Sequence, residues 1–120
     1  MTIVRAAERG RSELRYGRGQ VERIVGPEVG ARNTDVHLNR ILAGSAPGPY
    51  HVHRNAENVY LILSGVVRVR IDGVDQDLEP GDAAFIPAGM PHSASNVGTV
   101  DAEVLEIYAP PGPDFVEVAD

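Results

Sequence analysis

The 120-residue sequence contains no cysteine and no lysine. Without cysteine, the chain can form no disulfide, thiol nucleophile, iron–sulfur cluster or thiolate-bound zinc site. Long apolar runs are also missing. The N-terminal stretch MTIVRAAERG carries charges where a signal peptide needs apolar residues, and no later stretch is long enough to cross a membrane. We therefore expect a cytoplasmic protein with no membrane partner.

All basic residues are arginine, and the net charge is −6. Residues 1–40 carry eight arginines against five acids, whereas residues 41–120 carry three against twelve. The stretch RAAERGRSELRYGR looks like a basic arm, but Glu8 and Glu13 interrupt it and it holds a single aromatic residue. Because the molecule as a whole would repel phosphate, we expect no nucleic-acid partner. This stretch is better explained as a solvated face or a subunit contact.

Apolar residues make up 42% of the chain, which is long enough for one folded domain with one core. Glycine or proline recurs about every ten residues with β-branched runs between, a pattern that predicts an all-β sandwich or barrel. In VVRVRI, apolar and arginine side chains alternate, and Asp72-Gly73 then fits a type I′ hairpin turn. The predicted strands are residues 20–26, 34–42, 50–53, 59–63, 66–71, 76–79, 83–87, 92–97 and 101–109.

His51 and His53 are separated by one valine within a predicted strand. Residues i and i+2 of a strand project from the same face, roughly 7 Å apart, so two imidazoles there can bind one ion. Taken alone, the pair is better explained by two polar side chains on a solvated strand face.

Two longer patterns extend this observation. Residues 81–96 contain an ordered series with five, one, two and three residues between its members, namely Gly81, Pro87, Gly89, His92 and Asn96. Residues 48–65, GPYHVHRNAENVYLILSG, contain the His-x-His pair and end at Gly65. Together they resemble the two signature motifs of the cupin superfamily, as a small single-domain member. The resemblance implies an all-β fold, an antiparallel jelly-roll β-barrel.

The resemblance also implies one divalent metal ion, bound by His51 and His53 from the first motif and by His92 from the second. Three neutral imidazoles suit Fe, Mn, Ni, Cu or Zn and leave positions open for a substrate or O₂. The sequence does not distinguish among these metals.

The family's fourth ligand is a glutamate, and here its position is ambiguous. Counted from His53 the family spacing fits Glu57 or Asn58, whereas counted back from Gly65 it fits only Asn58. Strand parity places Asn58 and Tyr60 on one face, so Glu57 would reach the ion only through a one-residue bulge. With Asn58 or water in that position the site is more positive, which favours an anionic, bidentate substrate.

Four further side chains are candidates for the substrate pocket: His37, Tyr60, Met90 and Phe85. Each has core packing as its alternative role, and His37 could equally be a partnered core histidine. Arg40 could pair with a substrate carboxylate or lie on the surface.

The domain boundaries follow from the same patterns. We expect N-terminal strands in residues 1–33, the cupin barrel in 34–110 and a loosely held tail in 111–120. The apolar start TIV and the tail segment FVEV resemble strands that cover a sheet edge or are exchanged with a partner. They predict a homodimer.

The function expected from these features is that of a metal-dependent enzyme acting on a small oxygenated organic molecule, with dioxygenase-like O₂ chemistry. One alternative is a non-redox isomerase, decarboxylase or lyase. Another is a ligand-binding or regulatory cupin without catalysis.

Overall fold

The computed structural model describes all 120 residues. It contains eleven strands and three short 3-10 helices, the helices at Ala6–Glu8, Arg15–Gly17 and Pro27–Val29. The strands are β1 (Gly10–Glu13), β2 (Gly19–Val25), β3 (Asp35–Ile41), β4 (His51–Val52), β5 (Glu57–Ser64), β6 (Val67–Ile71), β7 (Val74–Leu78), β8 (Ala83–Ile86), β9 (His92–Asn96), β10 (Ala102–Ala109) and β11 (Val116–Glu117).

The strands form two antiparallel sheets. One has the order β1-β2-β3-β10-β5-β8 and the other β11-β4-β9-β6-β7. The hydrophobic core contains residues from both sheets: Ile41, Tyr60, Ile62, Val67, Val69, Ile86, Ala102 and Val104. The predicted all-β jelly-roll fold is confirmed. No helix is long and apolar enough to pass through a bilayer.

Each predicted strand coincides at least in part with one of β2 to β10. The Asp72-Gly73 turn is also confirmed, since both residues have positive φ, 48° and 81°. The alternation in VVRVRI is readable because Val67 and Val69 are buried in β6 whereas Arg68 is exposed. Strand β1 escaped prediction because all four of its residues are exposed and its sequence, GRSE, carries no apolar alternation.

The chain termini differ from expectation. The start TIV forms no strand, and Ile3 is 60% exposed. The FVEV segment does supply β11, but β11 pairs with β4 of the same chain, with Glu117 opposite His51. Because the tail completes the second sheet in this way, it is not loosely held.

Residues 10–25 extend the first sheet through β1 and β2. The entry into β2 requires glycine, because a Cβ on Gly19 would lie 1.9 Å from the carbonyl oxygen of Arg40 and Gly19 has a φ of 150°. This close approach brings the N-terminal segment up to the cavity described below.

Candidate metal centre and cavity

The three motif histidines converge at the strand pair β4–β9. His51 and His92 are opposite each other in the register, and His53 follows β4. All three are buried, and their candidate ligand atoms lie within 4.8 Å of one another. The pairing of β4 with β9 thus places His92 beside His51, although the two are far apart in sequence. His53 follows His51 by two residues.

Each imidazole is oriented by the backbone. The Nδ1 atoms of His51, His53 and His92 lie 2.7, 2.5 and 2.9 Å from the carbonyl oxygens of Pro49, Asp114 and Met90, respectively. Because a carbonyl only accepts, each Nδ1 carries the proton and each Nε2 keeps its lone pair. The Nε2 atoms of His53 and His92 are buried and have no hydrogen-bond partner. Metal-ligating histidines are typically oriented in this way.

The histidines are held in their neutral form. Burial lowers the pKa of His51 to about 3, with a further contribution from His92. Burial also lowers the pKa of His92 to about 4 and shifts the pKa of His53 in the same direction. Three neutral imidazoles with available Nε2 lone pairs fit a divalent first-row metal ion, since ligation needs no prior loss of a proton.

Asn58 and Glu57 lie on opposite faces of β5. Asn58 is completely buried, whereas Glu57 is exposed and is not part of the histidine cluster. The Asn58 side chain donates from Nδ2 to the carbonyl of Ile107 at 3.1 Å, and its Oδ1 has no partner. An unpartnered amide oxygen suits a weak ligand, and the role of Asn58 as fourth ligand stays a prediction.

A cavity of about 600 Å³ lies beside the cluster. His51 and His53 line it, together with the predicted pocket residues His37 and Tyr60. His37 is also partnered, since its Nε2 lies 2.8 Å from Oδ1 of Asp35, and its role in a substrate pocket stays a prediction.

The other two predicted pocket residues, Phe85 and Met90, do not line the cavity. Phe85 pairs with Val59 on the outer face of β5 and β8 and is 58% exposed, because strand parity turns it away from the interior. Met90 packs against the hydrophobic core. Arg40 does not line this cavity either. It is exposed and pairs with Glu103 at 3.6 Å.

Glu106 is a cavity residue that the sequence reasoning missed. It lies on the inward face of β10, accepts from Asn39 Nδ2, and accepts from the Tyr108 hydroxyl at 3.1 Å. Burial raises its pKa to about 7, against the opposing effects of the Tyr108 hydrogen bond and the charge of Arg18. The alternation along β10 could have revealed it, because Glu106 lies on the same buried face as Val104 and Tyr108, where a carboxylate is unusual.

The C-terminal tail also contributes to the site. Phe115 stacks on His51, with ring centroids 4.2 Å apart, and the guanidinium of Arg15 lies 3.9 Å from the centre of the same ring. The carbonyl of Asp114 is the one that orients His53. No short motif marks these contacts, because they depend on how β11 folds back onto β4.

Comparison with known proteins identifies the family. Residues 38–108 match the model of the family described as Cupin domain. The chain belongs to the cupin family.

Among curated proteins, the chain is 44% identical to quercetin 2,3-dioxygenase of Bacillus subtilis over 45 residues, which are 38% of the chain and 13% of that enzyme. It is 26% identical to oxalate oxidase 2 of Hordeum vulgare over 121 residues, covering 93% of the chain and 54% of that enzyme. The chain thus spans about half or less of the length of the curated relatives it matches.

A solved structure shows the same fold at full length. The polyketide cyclase RemF from Streptomyces resistomycificus superposes with a TM-score of 0.83 at 20% identity, covering 100% of the chain and 87% of RemF.

Proposed function

We propose that this cupin is a metal-dependent enzyme acting on a small oxygenated organic molecule. One observation carries the proposal: three buried histidines, each fixed through Nδ1, converge with available Nε2 atoms beside a cavity of about 600 Å³. A cavity of this volume suits a small molecule.

His51, His53 and His92 would hold the ion, which would polarise substrate oxygens and, if it is redox-active, open a path to O₂ chemistry. The chain's own residues supply proton transfer. Glu106 faces the cavity with a pKa of about 7, so at neutral pH its carboxyl group can accept or return a proton. Asn39 and Tyr108 hold that carboxyl group in one orientation.

The first candidate reaction is a dioxygenation. The similarity to quercetin 2,3-dioxygenase favours it, with 44% identity over 45 residues. In such a reaction the substrate loses a proton to a base and supplies the electrons, and both atoms of O₂ enter the product, so no external reductant is consumed. Glu106 would be that base.

The second candidate is a non-redox reaction, such as an isomerisation, a decarboxylation or a lyase step. The buried Glu106 favours it, because a carboxyl group with a pKa near 7 can take a proton from one substrate atom and deliver it to another. The fold shared with a polyketide cyclase is compatible with this chemistry.

Turnover assays with and without oxygen test the proposal. Metal-loaded wild type would be incubated with diketones, catechols, flavonols and hydroxy acids, in air and under nitrogen, with oxygen uptake recorded. Turnover only in air indicates dioxygenation, whereas turnover under nitrogen indicates the non-redox reaction. His92→Ala should abolish turnover both in air and under nitrogen. Glu57→Ala, on the outer face, should leave turnover in place. Saturable ligand binding without product would contradict an enzymatic role and favour a binding cupin.

We also propose that the protein is a homodimer. The outer face of β5 and β8 presents apolar side chains, with Leu63 48% and Phe85 58% exposed. A solution mass twice that of the 12.9 kDa chain by light scattering would support the dimer, and a mass near 12.9 kDa would contradict it. The cytoplasmic location stays a prediction.

A further inference from the structure

Arg18 is a buried arginine at the wall of the cavity. It precedes β2, is only 6% exposed, and lines the same space as His51, His53 and Glu106. Arginine is seldom buried this far unless its charge is paired. The partners of its guanidinium therefore indicate what it is for.

Two of the three guanidinium nitrogens are anchored to the backbone. Nε donates to the carbonyl of Ala46 at 3.2 Å, and Nη2 donates to the carbonyl of Ala94 at 2.6 Å. Arg18 forms no ion pair with any carboxylate, although six arginine–carboxylate contacts exist elsewhere in the chain. Nη1 donates to no protein atom and is not among the enclosed, unpartnered atoms. Nη1 therefore keeps some accessible surface, and Arg18 is one of the residues that line the cavity.

The backbone is shaped to admit this guanidinium. A Cβ on Gly48 would lie 2.8 Å from Nη2 of Arg18 and 2.2 Å from the carbonyl oxygen of Ala94. Glycine at position 48 leaves the space that the side chain occupies, as Gly19 does for the backbone beside it. The anchoring bonds fix the orientation of the guanidinium and leave one donor nitrogen for a ligand.

The positive charge of Arg18 is incompletely balanced. Glu106 is near enough for each group to shift the pKa of the other, but burial keeps Glu106 partly protonated at neutral pH. A buried guanidinium gains most from a carboxylate that forms charge-assisted hydrogen bonds with it. No carboxylate of the chain fills that role.

We propose that Arg18 binds a carboxylate group of the substrate, so that the cavity selects small carboxylic acids that carry a second oxygen function. The inference rests on the proposed function in that it names the substrate class of the same cavity. A carboxylate at Arg18 would leave the second oxygen function free to approach the histidines and Glu106.

Paired ligands test the inference without depending on turnover. We would titrate metal-free protein with 2-oxo acids, 2-hydroxy acids, oxalate and salicylate, each beside its neutral amide, by calorimetry. Removing the metal matters because a bound ion would itself favour carboxylates. At least one acid should bind wild type about tenfold or more tightly than its amide.

Arg18→Gln should lose about tenfold or more of the affinity for that acid and change its affinity for the amide by less than about threefold. Arg40→Gln removes the same charge from an exposed position that already pairs with Glu103, and should behave as wild type. Equal losses in the two variants would overturn the inference, because they would indicate a general charge effect.

If Arg18→Gln does not fold, the titrations of wild type with acids and amides test the inference by themselves. Equal binding of every acid and its amide, or no acid binding below roughly 10 mM, would overturn the inference.

Metal content, measured separately, distinguishes the two proposals. Wild type that binds metal and turns over neutral substrates without preferring acids retains the proposed function and loses this inference. Wild type that binds acids through Arg18 but never binds a metal retains this inference and loses the proposed function.

Discussion

His51 and His92 are paired across β4 and β9, and their ring centroids lie 4.3 Å apart. One sheet register thus joins the two sequence motifs, and His53 joins them two residues further along the chain. The same region also receives the tail, since β11 pairs with β4. The candidate metal centre therefore depends on long-range strand pairing, with each imidazole then oriented by a backbone carbonyl.

The first prediction separates Asn58 from Glu57. Asn58→Ala should cost about 1–3 kcal/mol in the free energy of unfolding, because it removes a buried amide and its hydrogen bond to Ile107. Glu57→Ala should change it by less than about 0.5 kcal/mol, since that side chain is exposed. Urea denaturation of both variants checks this. A larger cost for Glu57→Ala would contradict the observed strand parity.

The second prediction concerns pH. The folded-state pKa of Glu106 is about 7, above its ordinary value of 4.5, so between these values the native state binds more protons than the unfolded state. Wild type should therefore lose roughly 2–3 kcal/mol of stability through this group as the pH rises from 4.5 to 7. Because the glutamine in Glu106→Gln cannot ionise, this variant should lose no stability through position 106.

Metal-free protein suits this measurement, with chemical denaturation at pH 5 and pH 8. The buried histidines have lowered pKa values and stabilise the fold as the pH rises, but they do so equally in both proteins and cancel in the difference. The stability of Glu106→Gln relative to wild type should therefore increase with pH. A difference that is constant or falls with pH would show that Glu106 is ionised in the folded state throughout.

The third prediction tests the approach of β2 to β3. Gly19→Ala should cost about 2–4 kcal/mol, because the new Cβ would meet the carbonyl oxygen of Arg40 and the backbone has positive φ. Gly10→Ala is the matched control. Nothing lies within 4 Å of its Cβ position, so the change should be within about 0.5 kcal/mol. Equal melting temperatures for the two variants would contradict this account.

Sequence reasoning reached the parts of the molecule that leave local signals. Recurrent glycine and proline with β-branched runs between them identified β2 to β10, and motif spacing selected His51, His53 and His92. Strand parity also predicted that Asn58 faces the interior, and Asn58 is buried in the structure.

Other parts leave no local signal. Arg18 contacts Ala46 and Ala94, which are 28 and 76 positions away, and Phe115 reaches His51 only because β11 folds back onto β4. These contacts are produced by the assembled fold, and no spacing rule within one segment describes them. Glu106 was readable in principle, as the one carboxylate among inward-facing residues of β10.

The metal content of the purified protein shows whether the three histidines form a metal centre. Freshly purified wild type, His92→Ala and His37→Gln would be compared by plasma mass spectrometry, with circular dichroism to confirm folding. We expect about one first-row metal ion per chain in wild type and in His37→Gln, whose side chain lies outside the cluster, and almost none in His92→Ala. Folded wild type that binds no iron, manganese, nickel, copper or zinc after reconstitution would contradict this expectation.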